Sequence, residues 1–161
     1  MPRVTYFIVC NRSIVDVLDN QISLVALLET INVPLPPGAA VPERSYTPIT
    51  WSAVARWERL PEDADKTFEQ RTQLIEPGGQ EVLHQVSTFD MTQRGQRIIV
   101  NGTGFPVAQP GLYVFRISLR QAESDQPWQP VAEYPIQVIH LTPKIETQTA
   151  GNGDNTTRQD I

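Results

Sequence analysis

Long apolar runs, cysteines and clustered basic residues are all scarce in this sequence of 161 residues. No segment approaches the roughly 18 consecutive apolar residues that a membrane-spanning helix requires, so we expect no membrane partner. Cys10 is the single cysteine, which excludes a disulfide bond within the chain. The 13 Lys and Arg residues are scattered and outnumbered by 18 Asp and Glu, giving a net charge of −5. Because nucleic-acid binding depends on clustered positive charge, we expect no nucleic-acid partner.

The first apolar stretch, residues 4–10, is also short for the apolar core of a secretory signal. It ends at Asn11 and Arg12, and no small-residue cleavage site follows it. A cytoplasmic protein is therefore the expectation.

Proline is abundant instead, with 14 residues against 9 Gly. Each proline removes a backbone donor and clashes with a preceding helical turn, so long helices are disfavoured. Apolar alternation predicts strands at residues 4–10, 49–59, 67–75, 80–89, 95–100, 111–119 and 131–141. The turn sequence at residues 76–79, Glu-Pro-Gly-Gly, predicts a hairpin. Pro135 interrupts the last strand, which indicates a sheet edge or a bulge.

Alternation is clearest in residues 111–119, and it assigns the faces of that strand. Tyr113, Phe115, Ile117 and Leu119 are expected to point inward, whereas Arg116, Ser118 and Arg120 point outward. The alternating face of the 49–59 strand carries Trp51 and Trp57, which are interpreted as core residues.

Residues 13–33 fit two patterns. The spacing of Ser13 and Asp16 is that of a capping box, and the apolar residues roughly follow a helical stripe. Asp19 and Asn20, however, are turn formers in the middle of the segment, and β-branched residues follow them. We predict two strands around a turn at Asp19 and Asn20.

These strands predict an all-β protein: a single β-sandwich, Ig-like or jelly-roll-like, of about 8–9 mostly antiparallel strands over residues 1–142. Residues 143–161 are polar and contain few apolar side chains, so they predict a disordered C-terminal tail.

Three stretches carry a family resemblance: residues 7–33 (FIVCNRSIVDVLDNQISLVALLETINV), 50–56 (TWSAVAR) and 98–119 (IIVNGTGFPVAQPGLYVFRISL). Together they resemble a bacterial family of small all-β proteins, domain of unknown function 6941, across roughly residues 4–140. The segment 58–66 and the tail do not share the resemblance. The family implies a sandwich fold, and it implies no activity or catalytic residues.

Residues able to carry chemistry are few and dispersed. His84 and His140 are the only histidines, and neither has the spacing of a zinc site. His84 alternates with two valines and is interpreted as an inward or interfacial strand residue. Cys10 ends an apolar strand, where a free cysteine usually acts as a small hydrophobe. The acidic residues at 62–65 are interpreted as a solvated loop, with a Ca²⁺ site as the alternative.

The remaining motifs are a glycine pair and one tryptophan. Gly102-Thr103-Gly104 lacks the third glycine of a dinucleotide-binding loop and predicts a bulge or turn. Trp128 lies in a stiff, proline-flanked segment. It either contacts a partner or ligand, or covers one end of the sandwich.

No catalytic, cofactor or metal site is therefore predicted, and the chain is not expected to be an enzyme. The leading hypothesis is an interaction or scaffold domain that binds another protein, or a second copy of itself, through loops or an edge strand. One alternative is a small-ligand or carbohydrate-binding module that uses loop aromatics such as Trp128. A second alternative is an enzyme of unrecognised class.

Overall fold

Nine β-strands account for most of residues 1–142, the part of the chain that this computed structural model describes. In chain order they are β1 (Arg3–Val15), β2 (Ile22–Leu27), β3 (Thr30–Pro34), β4 (Tyr46–Glu58), β5 (Thr67–Ile75), β6 (Glu81–Asp90), β7 (Gly95–Pro106), β8 (Gly111–Gln121) and β9 (Gln129–Leu141). A short 3-10 turn, Pro61–Asp63, follows β4. Within these residues there is no helix long and apolar enough to cross a lipid bilayer.

The strands form two sheets. One has four strands in the order β2-β1-β4-β7, and the other has five in the order β3-β9-β8-β5-β6. Neighbouring strands are antiparallel except for β3 and β9, which pair in parallel. The predicted all-β sandwich of mostly antiparallel strands is confirmed. The tail predicted at residues 143–161 lies outside the described residues.

The core lies between the two sheets, and the predicted inward residues line it. Trp51 and Trp57 are buried, as expected from alternation along β4. The four inward positions of β8 are fully buried as well: Tyr113, Phe115, Ile117 and Leu119. Aromatic side chains link the layers, since the Trp51 ring of β4 lies 5.1 Å from the Phe115 ring of β8. The core therefore follows from the period-2 pattern of the sequence.

Turn chemistry also placed the hairpins correctly. The turn at residues 76–79 joins β5 to β6, and Gly79 there has a φ of +84°. Residues 13–33 form strands and not a helix, with a turn at Asp19 and Asn20 as predicted. The second predicted strand, however, is split. Leu28 turns into the core after Ala26 adopts a φ of +54°, and β3 then joins the other sheet.

Pro135 lies on β9, which has a neighbouring strand on both sides only in its second half. β9 lies between β3 and β8, but β3 pairs only with its second half, from Gln137 to Leu141. Pro130 and Pro135 therefore occupy the half of β9 that is unpaired on the β3 side. A register shift opposite Ile117 marks a bulge beside Pro130. The prediction of an edge or bulge is confirmed in this local sense.

Candidate functional site

Exposed apolar side chains are concentrated in the β1–β2 hairpin. Residues 1–142 contain twelve large apolar residues classed as exposed, and six of them lie between Ile14 and Leu27. These six are Ile14, Val15, Val17, Leu18, Val25 and Leu27. Val17 and Leu18 at the turn are 95% and 93% exposed. Large apolar residues exposed singly are normal on a protein surface, whereas these six are concentrated in one hairpin.

The hairpin tip, residues 16–20, is held in one conformation by its own polar groups. Asp16 Oδ1 accepts a hydrogen bond from the Leu18 N–H at 2.7 Å, and Asp19 Oδ1 accepts one from the Gln21 N–H at 3.0 Å. The Asn20 N–H donates to Asp16 O at 3.0 Å, with Asn20 in the left-handed region at a φ of +57°. The carboxylates thus satisfy the turn backbone and leave the two apolar side chains pointing outward.

An arginine on β7 fixes the position of the tip. The Arg97 guanidinium donates to Asn20 O at 3.0 Å and to Asn20 Oδ1 at 3.3 Å. Arg97 on β7 lies at the same level of the four-stranded sheet as Tyr6 on β1. The pairing of β1 with β4 ends at Cys10, four residues after Tyr6. A straight hairpin would carry Asn20 away from that level. The hairpin therefore bends back across the outer face of the four-stranded sheet.

Two residues of the four-stranded sheet are buried although they face away from the core. Cys10 and Val54 occupy this outer face by alternation, and neither has exposed surface. Burial raises the pKa of the Cys10 thiol, which also donates to Ser52 O at 3.7 Å. The prediction that Cys10 is a small buried hydrophobe is confirmed. A raised pKa makes the thiol a poor nucleophile at neutral pH.

Trp128 lies over the outer face of the five-stranded sheet and not over an end of the sandwich. Its ring is 5.0 Å from Arg71 Cζ and 4.4 Å from Arg120 Cζ, so both guanidinium groups stack on the indole. Ser118, predicted to point outward, does so but is completely buried on this face. The role of Trp128 as a partner or ligand contact stays a prediction.

The structure does not bring the two histidines together with Cys10. His84 lies on β6 and is exposed, with Nδ1 2.8 Å from Glu81 Oε1, so the interpretation as an inward or interfacial residue is wrong. The cause is that His84 pairs with Gln73, an outward residue of β5, so its side chain lies on the outer face of the sheet. His140 on β9 donates from Nε2 to Val107 O at 2.8 Å. Cys10, in contrast, belongs to the other sheet.

The acidic segment and the glycine pair have structural roles. Asp63 is buried, and its carboxylate accepts the Leu60 N–H at 3.4 Å, while Glu62 and Asp65 are exposed. No group of three His, Cys, Asp or Glu side chains in residues 1–142 is arranged to hold a metal ion. Gly104, with a φ of +84°, lies opposite a register shift on β4, which confirms the predicted bulge.

Two features of the surface were missed by the sequence reasoning. One sequence signal predicts the exposure of Val17 and Leu18. The two apolar residues lie within a short turn, which has too few residues to bury them. Tyr46 had no such signal. Tyr46 is 63% exposed and borders a groove shared with Glu43, Glu76 and Gln109 from three connections.

No protein-family model matches the chain, and no curated protein matches it either. The resemblance of residues 4–140 to the bacterial family described above therefore stays a prediction.

Proposed function

We propose that this protein is a non-enzymatic interaction module, and that it binds another protein through the β1–β2 hairpin. The observation that carries the proposal is the exposure of Val17 and Leu18 on a structured tip. Full exposure of two large apolar side chains costs the free protein solubility, and burial in a partner would recover roughly 1.5–3 kcal/mol for each.

The conformation of the tip favours binding because its backbone is already ordered before a partner binds. The Asp16 and Asp19 turns and the Arg97 contact already fix the backbone. A preorganised loop loses less conformational entropy on association than a flexible one. Ile14 and Val25 extend the apolar surface along one face of the hairpin.

The charges on the tip favour a protein over a membrane. Asp16 and Asp19 flank the apolar pair and would be repelled by an anionic lipid surface. They suit a partner whose apolar pocket is bordered by basic groups. The partner is either a different protein or a second copy of this chain, and we propose that it is bound in the cytoplasm.

A photoreactive amino acid placed at position 18 tests this proposal in the cell. We expect a discrete crosslinked adduct, whose mass separates a second copy of the chain from a different protein. The matched control carries the same group at Leu112, which is half-exposed on β8, far from the hairpin in sequence. Substituting Val17→Ser should abolish the adduct at position 18. An absence of adducts at position 18, or the same adducts at both positions, would contradict the proposal.

A further inference from the structure

A second surface, independent of the hairpin, lies on the outer face of the five-stranded sheet. Its members are Arg71 on β5, Arg116, Ser118 and Arg120 on β8, and Trp128 in the connection before β9. We call this set the arginine–tryptophan cluster. Arg71 and Ser118 are direct cross-strand partners, so their side chains emerge side by side.

Buried polar atoms without hydrogen-bond partners are concentrated in this region. Ser118 is 0% exposed and its Oγ has no partner in the described part of the chain, and the same holds for the buried Nε of Arg71. Gln73 occupies the next outward position of β5, is nine-tenths buried, and has an unpartnered Oε1. These are three of the five such atoms in residues 1–142. Because an unmade buried hydrogen bond is costly, a bound group is expected here.

Two of the three arginines in the cluster form ion pairs, and the third, Arg71, forms none among the described residues. Arg116 Nε donates to Glu133 Oε1 at 2.7 Å, and Arg120 Nε donates to Glu69 Oε2 at 2.6 Å. Both pairs use only Nε, which leaves the terminal amino groups for other acceptors. Arg71 makes no ion pair within residues 1–142.

The remaining carboxylate near Arg71 is already engaged. Glu81 accepts hydrogen bonds from Gln73 Nε2 and from His84 Nδ1, the latter at 2.8 Å. The guanidinium of Arg71 is therefore stacked on Trp128 without a bonded anion.

We propose that the arginine–tryptophan cluster binds an oxyanion, either a carboxylate or a phosphate group. Arg71 supplies the charge and the Ser118 hydroxyl donates a hydrogen bond, while Gln73 Oε1 accepts one from a hydroxyl of the anion or its water. A guanidinium group carries N–H donors that can bond two oxygens of a carboxylate or of a phosphate at the same time. Because the Trp128 ring lies over the guanidinium groups of Arg71 and Arg120, an anion bound to these groups is expected to shift the ring.

Titration of the intrinsic tryptophan fluorescence tests the proposal, with inorganic phosphate and acetate added separately at constant ionic strength. Trp51 and Trp57 are buried in the core and contribute a constant background. We expect a saturable signal from Trp128, and the anion that produces it distinguishes phosphate from carboxylate. Arg71→Gln should weaken binding about tenfold or more, since a charge-assisted bond is lost. Ser118→Ala should weaken it several-fold by the same principle.

The matched control is Arg44→Gln, an exposed arginine outside the cluster, which should leave the titration unchanged. Trp128→Phe should remove the fluorescence signal while calorimetry still detects binding. If Arg71→Gln fails to fold, Arg71→Lys keeps the charge but loses the planar fork, and should bind more weakly than the unmodified chain. Flat titrations with both anions would overturn the proposal, as would equal losses in Arg71→Gln and Arg44→Gln.

Discussion

Trp51 lies across the backbone of Gly102, its cross-strand neighbour on β7. The indole Nε1 donates to Gly104 O at 3.0 Å, which fixes the ring in this position. A methyl group at position 102 would overlap the ring, so a side chain there has to displace a buried tryptophan. The glycine is thus required by close packing.

Gly102→Ala should destabilise the protein by about 1–3 kcal/mol, the usual cost of overpacking a core. Urea denaturation followed by circular dichroism measures the change. Gly78→Ala is the control, because a methyl group there meets its nearest neighbour at 3.7 Å and the φ of Gly78 is not positive. Equal stability of the two variants would show that Trp51 can move without cost.

Glu58 gives a prediction for pH dependence. The hydrogen bond and charge of Arg3, with a smaller contribution from Arg94, hold the pKa of Glu58 below its usual range. A carboxylate with a lowered folded-state pKa stabilises the protein above its unfolded pKa, about 4.3, and loses that effect as pH falls through the folded value. Glu58→Gln should therefore lower the urea midpoint at pH 7, and the difference should shrink toward pH 3.

The control for this measurement is Glu62→Gln, because Glu62 is exposed and makes no ion pair within the described residues. A pH-independent difference between Glu58→Gln and the unmodified chain would assign the effect to lost packing. That result would contradict a role for the Arg3 pair.

The tip of the β1–β2 hairpin is held against β7 by one arginine side chain. Arg97 is the residue that joins the tip to β7. Arg97→Ala should release the tip, so hydrogen exchange at the Leu18 and Asn20 amides should accelerate while global stability changes little. Mass spectrometry of exchanged peptides measures this, with Arg94→Ala, an exposed neighbour, as the control. Unchanged exchange would mean that the Asp16 and Asp19 turns hold the tip alone.

Elements with strong local signals could be predicted from the sequence, whereas long-range placement could not. The hairpin at residues 76–79 and the buried face of β8 follow from turn residues and alternation, which act over a few positions. The split between β2 and β3 arises because Ile31 belongs to β3, which pairs with β9. That partner strand lies far along the chain. The location of Trp128 likewise depends on Arg71, from a distant strand.

The same distinction applies to the candidate sites. Two apolar residues within the turn at Asp19 were visible in the sequence. Their exposure, however, depends on the fold, in which no other element of residues 1–142 covers the hairpin tip. His84 was assigned to the wrong face because alternation gives the two faces of a strand without saying which one is covered. The charged neighbour of His84, Glu81, lies three residues earlier on the same strand.

At the scale of the whole molecule, stability depends on aromatic contacts that bridge the sheets. The Phe115 ring packs against Trp51 at 5.1 Å and against Phe105 at 6.3 Å, both from the opposite sheet. Phe115→Ala should cost about 3–5 kcal/mol. Leu112→Ala, on the exposed side of the same strand, should change stability by about 0.5 kcal/mol or less.

Urea unfolding monitored by fluorescence and by circular dichroism measures both variants. The two signals should change together, since each of the two core clusters contains residues of both sheets. Separate transitions in Phe115→Ala would show that each sheet persists alone.

The parallel pairing of β3 with β9 has a consequence for synthesis on the ribosome. Thr30 of β3 pairs with Gln137 of β9, so the hydrogen bonds of β3 cannot form until β9 has been synthesised. Until β9 is added, β8 also lacks one of its two neighbouring strands. The backbone hydrogen-bonding groups on that edge of β8 are then unpaired. Such a nascent chain stays vulnerable to aggregation, and the sheet closes only after residues near 141 emerge. Translation pauses late in the message should therefore lower the yield of folded protein more than pauses near its start.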